Sequence, residues 1–303
     1  MVWAKRIFLF IALNLLVIFM VTLVLNIFHV QPYLTAHGID YSSLMIFCLV
    51  WGMVGAFVSL SLSRIMAKWM LGVSVIDPST TDPQFKELLN TVSSLCRKAK
   101  IPMPEVGIYK SAEVNAFATG PTKSRSLVAV SSGLLNRMHQ SEIEGVLGHE
   151  ISHIANGDMV TMTLLQGVIN AFVMFLARVL ASLLSGFGRN QNRSQGGSMM
   201  SYMLFTYLFE VVFMALGFLV IAAYSRYREF RADAGGARLA GKDAMISALK
   251  SLSALKNNED PKQNQAIAAF KISQSGKKGI LSLFSTHPPL EERIRRLERP
   301  PIR

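Results

Sequence analysis

Four apolar runs, separated by polar and charged segments, constrain this chain more than any other feature. They occupy residues 7–28, 44–62, 160–187 and 202–224. A bilayer core is crossed by about 20 consecutive apolar residues, and each run is close to that length. Apolar residues make up 51% of the chain and charged residues 17%, which excludes an ordinary soluble enzyme. Lys5 and Arg6 precede the first run, Arg64 and Lys68 follow the second, and residues 29–41 between them hold no Lys or Arg. Basic flanks stay on the cytoplasmic side, so both ends of this hairpin, and both termini of the chain, are expected there. The first run is longer than a signal-peptide core and lacks a small-residue cleavage site, which reads as a retained anchor. The net charge of +12 is scattered beside apolar segments, with no basic patch interleaved with aromatics. That pattern suits a lipid bilayer and gives no sign of a nucleic-acid partner.

Within the second run, Gly52, Gly55, Ala56 and Ser59 are spaced to let helices approach closely, although glycine is also common in membrane helices generally. The third run carries Gln166, Asn170 and Arg178, and the fourth has Glu210 as its only charge. Arg178 and Glu210 are expected to pair, because ionisable groups in lipid face a partner or a cavity. Arg189 and Arg193 in the connecting segment run against the charge rule, so full or partial crossing by these two runs stays open. Cys48 and Cys96 have neither disulfide nor metal-site spacing and read as buried thiols in a reducing compartment.

The remaining segments read as soluble structure. Residues 73–82 form a linker, and residues 83–100 an amphipathic helix through Phe85, Leu88, Leu89, Val92, Leu95 and Ala99, stopped by the Pro-Met-Pro around Met103. Residues 105–110 and 126–130 are β-rich. Between them Asn-Ala-Phe-Ala-Thr-Gly, residues 115–120, is an exposed strand or loop ending at a Gly-Pro turn. Later helices are expected over 242–256 and 291–299, with a hydrophilic loop at 257–265.

Chemistry concentrates in residues 140–158, Gln-Ser-Glu-Ile-Glu-Gly-Val-Leu-Gly-His-Glu-Ile-Ser-His-Ile-Ala-Asn-Gly-Asp. Ser141 is placed to cap a helix, with Glu144 as its reciprocal partner. Ile143, Val146, Leu147, Ile151 and Ile154 then recur at helical spacing. His149 and His153, four apart, present two imidazoles from one helix face, as zinc requires. Glu150 is placed to take a proton from a water on such an ion. A third ligand six residues beyond His153 is excluded, because position 159 is Met. Glu229 is the best third candidate, since two antiparallel spans return the chain to the side where His153 left it. Asp233, four residues on, is placed to support a ligand imidazole. The competing possibility is that Glu229 and Asp233 are surface charges paired with Arg226, Arg228 or Arg231, and His287 stays open as a ligand. His287 also suits oxyanion stabilisation or a structural cap, and Asn115 and Ala116 suit backbone contact with an extended substrate.

His-Glu-Ile-Ser-His-Ile-Ala-Asn-Gly-Asp, the downstream Glu-Phe-Arg-Ala-Asp, Asn-Ala-Phe-Ala-Thr-Gly and Ser-Thr-His-Pro-Pro-Leu, together with two N-terminal spans, resemble the HtpX family of bacterial membrane metalloproteases. That family is related to the type I CAAX prenyl proteases, and the resemblance runs from Lys5 to about Arg295. It implies a zinc-dependent endopeptidase of the cytoplasmic membrane, facing the cytoplasm and degrading misfolded or damaged membrane proteins under stress. It implies one zinc per chain on His149, His153 and Glu229, with Glu150 as acid/base. The expected fold is mainly α with a small β element, a multi-pass protein with about four apolar helices and a cytoplasmic zincin-type, gluzincin-like catalytic domain. The expected divisions are 1–72, a two-helix anchor; 73–159, the first catalytic part; 160–225, an apolar hairpin; and 226–303, the second catalytic part. Two rivals remain: a prenyl-protein processing protease, and a non-catalytic scaffold or transporter with structural zinc.

Overall fold

In lipid, every backbone N–H and C=O has to be satisfied within the segment, which forces apolar runs into helices. The computed structural model describes residues 41–187, 195–257 and 280–299 and bears this out there. Helix α1 is Tyr41–Leu71, α5 is Asp158–Phe187 and α6 is Gln195–Ala240. Among the described residues, three helical stretches are long and apolar enough to cross a membrane: Ser43–Leu71, Asp158–Ser182 and Met199–Ala240. The first apolar run, residues 7–28, lies outside the described residues, as do most of the 189–198 segment and residues 258–265.

Two compact units divide the chain. One comprises Met1–Ser59 and Thr163–Val220. Its described part is helical, with Phe172, Tyr207, Leu208 and Val211 more than half exposed, as lipid-facing side chains are. A Cβ on Gly52 would sit 2.6 Å from the Gly167 carbonyl oxygen and 2.8 Å from the Ala171 nitrogen. Small residues therefore let α1 and α5 touch backbone to backbone. The expected ion pair forms, with Arg178 Nη1 donating to Glu210 Oε1 at 2.8 Å.

The other unit comprises Leu60–Met162 and Ile221–Arg303. Its sheet has four strands, β1 (Ser74–Val75), β2 (Glu105–Tyr109), β3 (Ala116–Thr122) and β4 (Arg125–Ser131), in the order β1-β2-β4-β3. The residues read as a linker thus include a two-residue strand, because Ser74 and Val75 pair with Ile108 and Gly107. Strand β4 is central and apolar without alternation, as a strand covered on both faces must be. Val128 and Val130 join the main core, while Leu127 and Ala129 face a smaller cluster with Tyr109 and Ala67.

Helix α2 (Pro83–Ala99) starts where Asp82 accepts from the Gln84 nitrogen at 2.9 Å, and it buries Leu88, Val92, Leu95 and Cys96. It ends at Lys100, which adopts φ 55, one residue before the Pro-Met-Pro segment begins to act. A short α3 (Ser132–Arg137) follows β4 and leaves only Met138 and His139 before α4 (Gln140–Asn156). This tight connection moves the helix start ahead of Ser141. His139 becomes the cap, its nitrogen donates to Glu142 Oε2 at 2.9 Å, and Ser141 is exposed. The chain continues in α7 (Lys242–Asn257), a 3-10 turn (Ile280–Phe284) and α8 (Leu290–Glu298).

Candidate active site

Three elements converge on His149 and His153, and small residues make the convergence possible. A Cβ on Gly145 would lie 2.5 Å from the Ala244 carbonyl oxygen. Gly148 and Gly236 face each other, and a Cβ on Gly236 would come within 3.0 Å of the His149 nitrogen. Helix α4 therefore lies in backbone contact with the end of α6 and the start of α7. Glu229 and Asp233 are delivered to the imidazoles by that contact and are 1% and 2% exposed. The surface-charge alternative fails on this burial.

The three candidate ligands meet. His149 Nε2 and His153 Nε2 are 3.2 Å apart. His149 Nε2 lies 3.5 Å from Glu229 Oε2, and His153 Nε2 lies 3.3 Å from Glu229 Oε1. Metal bonds of about 2.0–2.1 Å in a tetrahedral array space neighbouring donors about 3.3–3.4 Å apart. The donor set therefore fits a small metal ion, and among the described residues these three side chains form the one such group. Glu229 Oε1 is buried with no hydrogen-bond partner, an arrangement that costs free energy unless a cation completes it.

Carboxylates hold the far nitrogens of both rings. Asp158 Oδ2 lies 2.6 Å from His153 Nδ1, and Asp233 Oδ1 lies 3.0 Å from His149 Nδ1. Each accepts from the Nδ1 side of its ring and so turns Nε2 toward Glu229. Burial disfavours charge on His149, yet the bonds to Asp233 and Glu229 outweigh it and raise its pKa to about 9. His153 shifts upward too: burial opposes the charge, and Asp158 and Glu229 overcome it.

Asp233 lies against the His149 ring, whereas Asp158 and Arg293 are contacts that the sequence did not suggest. Asp158 reaches back because Gly157, at φ 69, ends α4 in a left-handed turn and α5 starts at once. The Gly-Asp pair directly after the motif was its available signal. Arg293 binds Asp233 through Nε at 2.8 Å and Nη2 at 2.6 Å. Its signal was a charge on the stripe otherwise formed by Leu290, Ile294 and Leu297. Glu150, beside His149 on α4, is half-buried.

The His287 side chain is 63% exposed, and its Nδ1 lies 2.9 Å from Glu229 Oε2, outside the group of His149, His153 and Glu229. Arg226 secures the segment before it by donating to the carbonyls of Leu283 at 2.8 Å and Ser285 at 2.7 Å. Asn115 and Ala116 lie at the start of edge strand β3, which packs along α4. The Ser131 nitrogen donates to the Asn115 carbonyl at 2.9 Å, and the Asn115 nitrogen donates to Ser131 Oγ at 3.0 Å. Antiparallel alternation then turns the N–H and C=O of Ala116 and Ala118 to the free edge.

Two histidines and one glutamate grouped as a metal would need, in a chain with helices apolar enough for lipid, are what a membrane-bound metallopeptidase requires. Comparison with known proteins agrees. Residues 82–300 match the model of peptidase family M48. A "Protease HtpX homolog" of Methylacidiphilum infernorum is 50% identical over 302 residues, covering 98% of this chain and 99% of that protein. Another from Bacillus subtilis is 51% identical over 303 residues, covering 97% and 99%. The crystal structure of S. mikatae Ste24p superposes with a TM-score of 0.65 at 18% identity, covering 98% of this chain and 67% of that one, and so shares its fold. The chain belongs to peptidase family M48.

Proposed function

We propose that the chain is a zinc-dependent endopeptidase of the bacterial cytoplasmic membrane that degrades misfolded or damaged membrane proteins, with its active site facing the cytoplasm. The observation that carries this is the gathering of three donors: the Nε2 atoms of His149 and His153 are 3.2 Å apart, and the Glu229 carboxylate meets His153 through Oε1 at 3.3 Å and His149 through Oε2 at 3.5 Å. Two imidazoles and a carboxylate suit one zinc ion per chain and leave a fourth position open, whereas structural zinc is closed by four protein ligands. The HtpX name of the relatives and the basic flanks of the first two apolar runs support the substrate class and the orientation. On this reading residues 7–28 supply a fourth span. Residues 73–159 and 226–303 form a gluzincin-like catalytic domain, and 1–72 and 160–225 hold it in the membrane.

Zinc bound there supplies Lewis acidity, acidifying a water and polarising the scissile carbonyl. Glu150 takes the proton of the attacking water and passes it to the leaving amine. Asp158 and Asp233 keep the two imidazoles in the ligating tautomer. The outward backbone groups of Ala116 and Ala118 bind an extended peptide by strand addition, with Asn115 at the entrance. His287 donates from outside the ligand set toward the carbonyl oxygen as it becomes negative.

The deciding experiment combines zinc analysis of the purified chain with cleavage of a denatured membrane protein and of a farnesylated peptide. About one zinc per chain and chelator-sensitive loss of the membrane protein are expected. Preference for the farnesylated peptide would turn the assignment toward prenyl-protein processing, and bound zinc without any cleavage would turn it toward a scaffold.

A further inference from the structure

Arg293 is 7% exposed, although it belongs to a helix of exposed charges. Its guanidinium takes both oxygens of Asp233, Nε to Oδ2 at 2.8 Å and Nη2 to Oδ1 at 2.6 Å. The same Oδ1 lies 3.0 Å from His149 Nδ1, and Arg293 Nη1 lies 3.7 Å from Glu229 Oε2. One side chain from α8 thus touches the support of one proposed ligand and the carboxylate of another. A buried ion pair adds little stability over an apolar pair of equal volume. What a two-point guanidinium fork does add is a fixed carboxylate plane.

That plane matters because Arg293 Nη2 also lies 3.4 Å from His149 Nδ1. Arginine cannot accept a hydrogen bond. Either His149 donates from Nδ1 to Asp233, or Nδ1 accepts from Arg293 and the proton moves to Nε2, where it blocks ligation. Asp233 selects the first arrangement, because it offers Nδ1 the shorter contact and engages two of the three guanidinium nitrogens.

We propose that Arg293 is a positioning residue of the metal centre, holding Asp233 so that His149 keeps the tautomer whose Nε2 faces the ion. This rests on reading His149, His153 and Glu229 as the ligand set. The C-terminal helix is then part of the metal site without supplying a ligand.

The test is Zn²⁺ affinity of the full-length protein in detergent, measured by competition with a chromophoric chelator, together with the visible spectrum of the Co²⁺ form. R293K keeps the charge and most of the buried volume but loses the fork, so it decides the matter should R293A fail to fold. R293K and R293A are expected to bind Zn²⁺ about 10- to 100-fold more weakly, with an altered Co²⁺ spectrum. D233A should lose at least as much, and D233A/R293A should be no weaker than D233A, because the unpaired guanidinium beside Nδ1 is gone. Folded R293K with wild-type affinity and spectrum would overturn the proposal, as would losses that multiply in the double variant. H149A separates the two ideas: abolished binding there upholds the ligand set whatever Arg293 does, and unchanged binding removes both.

Discussion

Asp158 Oδ2 sits 2.6 Å from His153 Nδ1, the shorter of the two carboxylate–imidazole contacts that orient the proposed ligand rings. Asp158 is 1% exposed, so the contact is shielded from water. Asp158→Ala removes the acceptor and frees the ring to rotate. Zinc affinity should fall about 10- to 100-fold, the usual cost of losing such a partner. Asp158→Asn, which keeps an accepting oxygen, should lose less in the same chelator competition.

In the proposed mechanism Glu150 contributes a proton path and no metal bond. Glu150→Gln should keep its zinc and lose about 10²- to 10⁴-fold or more in cleavage rate. Zinc analysis and a degradation assay on one preparation check this; full turnover in the variant would remove Glu150 from its role.

The close approach of α4 to α7 depends on Gly145. Alanine usually favours a helix over glycine by about 1 kcal/mol. Here its Cβ would meet the Ala244 carbonyl oxygen at 2.5 Å, and backbone cannot yield as a side-chain end does. Gly145→Ala should therefore destabilise the protein by about 1–3 kcal/mol, read as a lower thermal midpoint.

His149 is held above its ordinary range, to about 9, so the metal-free ring is protonated at neutral pH. A metal ion must displace that proton. Binding near pH 7 should release about one proton from this ring, and affinity should weaken up to tenfold per unit as pH falls. Calorimetry in buffers of different ionisation enthalpy counts the proton; a pH-independent affinity would contradict the shift.

Burial pushes the Cys96 thiol up to about 11. The thiolate is the reactive form, so at pH 8 only about one thiol in a thousand is poised to react. Iodoacetamide should label Cys96 in the folded protein at least about a hundredfold more slowly than after denaturation, as followed by mass spectrometry.

What the sequence determined by itself was whatever depends on neighbours within a turn or a span. Apolar length called for the helices, four-residue spacing put His149 and His153 on one face, and β-rich composition marked residues 105–110 and 126–130 as strands. Even Glu229 was reachable, by counting two crossings of a membrane. Tertiary structure alone decided the contacts between distant segments. Gly145 and Gly236 had no visible purpose until α4 met α6 and α7, and the cap at His139 follows from how closely α3 precedes α4. Arg293 binds an aspartate sixty positions earlier in the chain. Periodicity records which face of an element is covered, but not by what. A buried charge is matched to its partner only when folding brings the two together out of water.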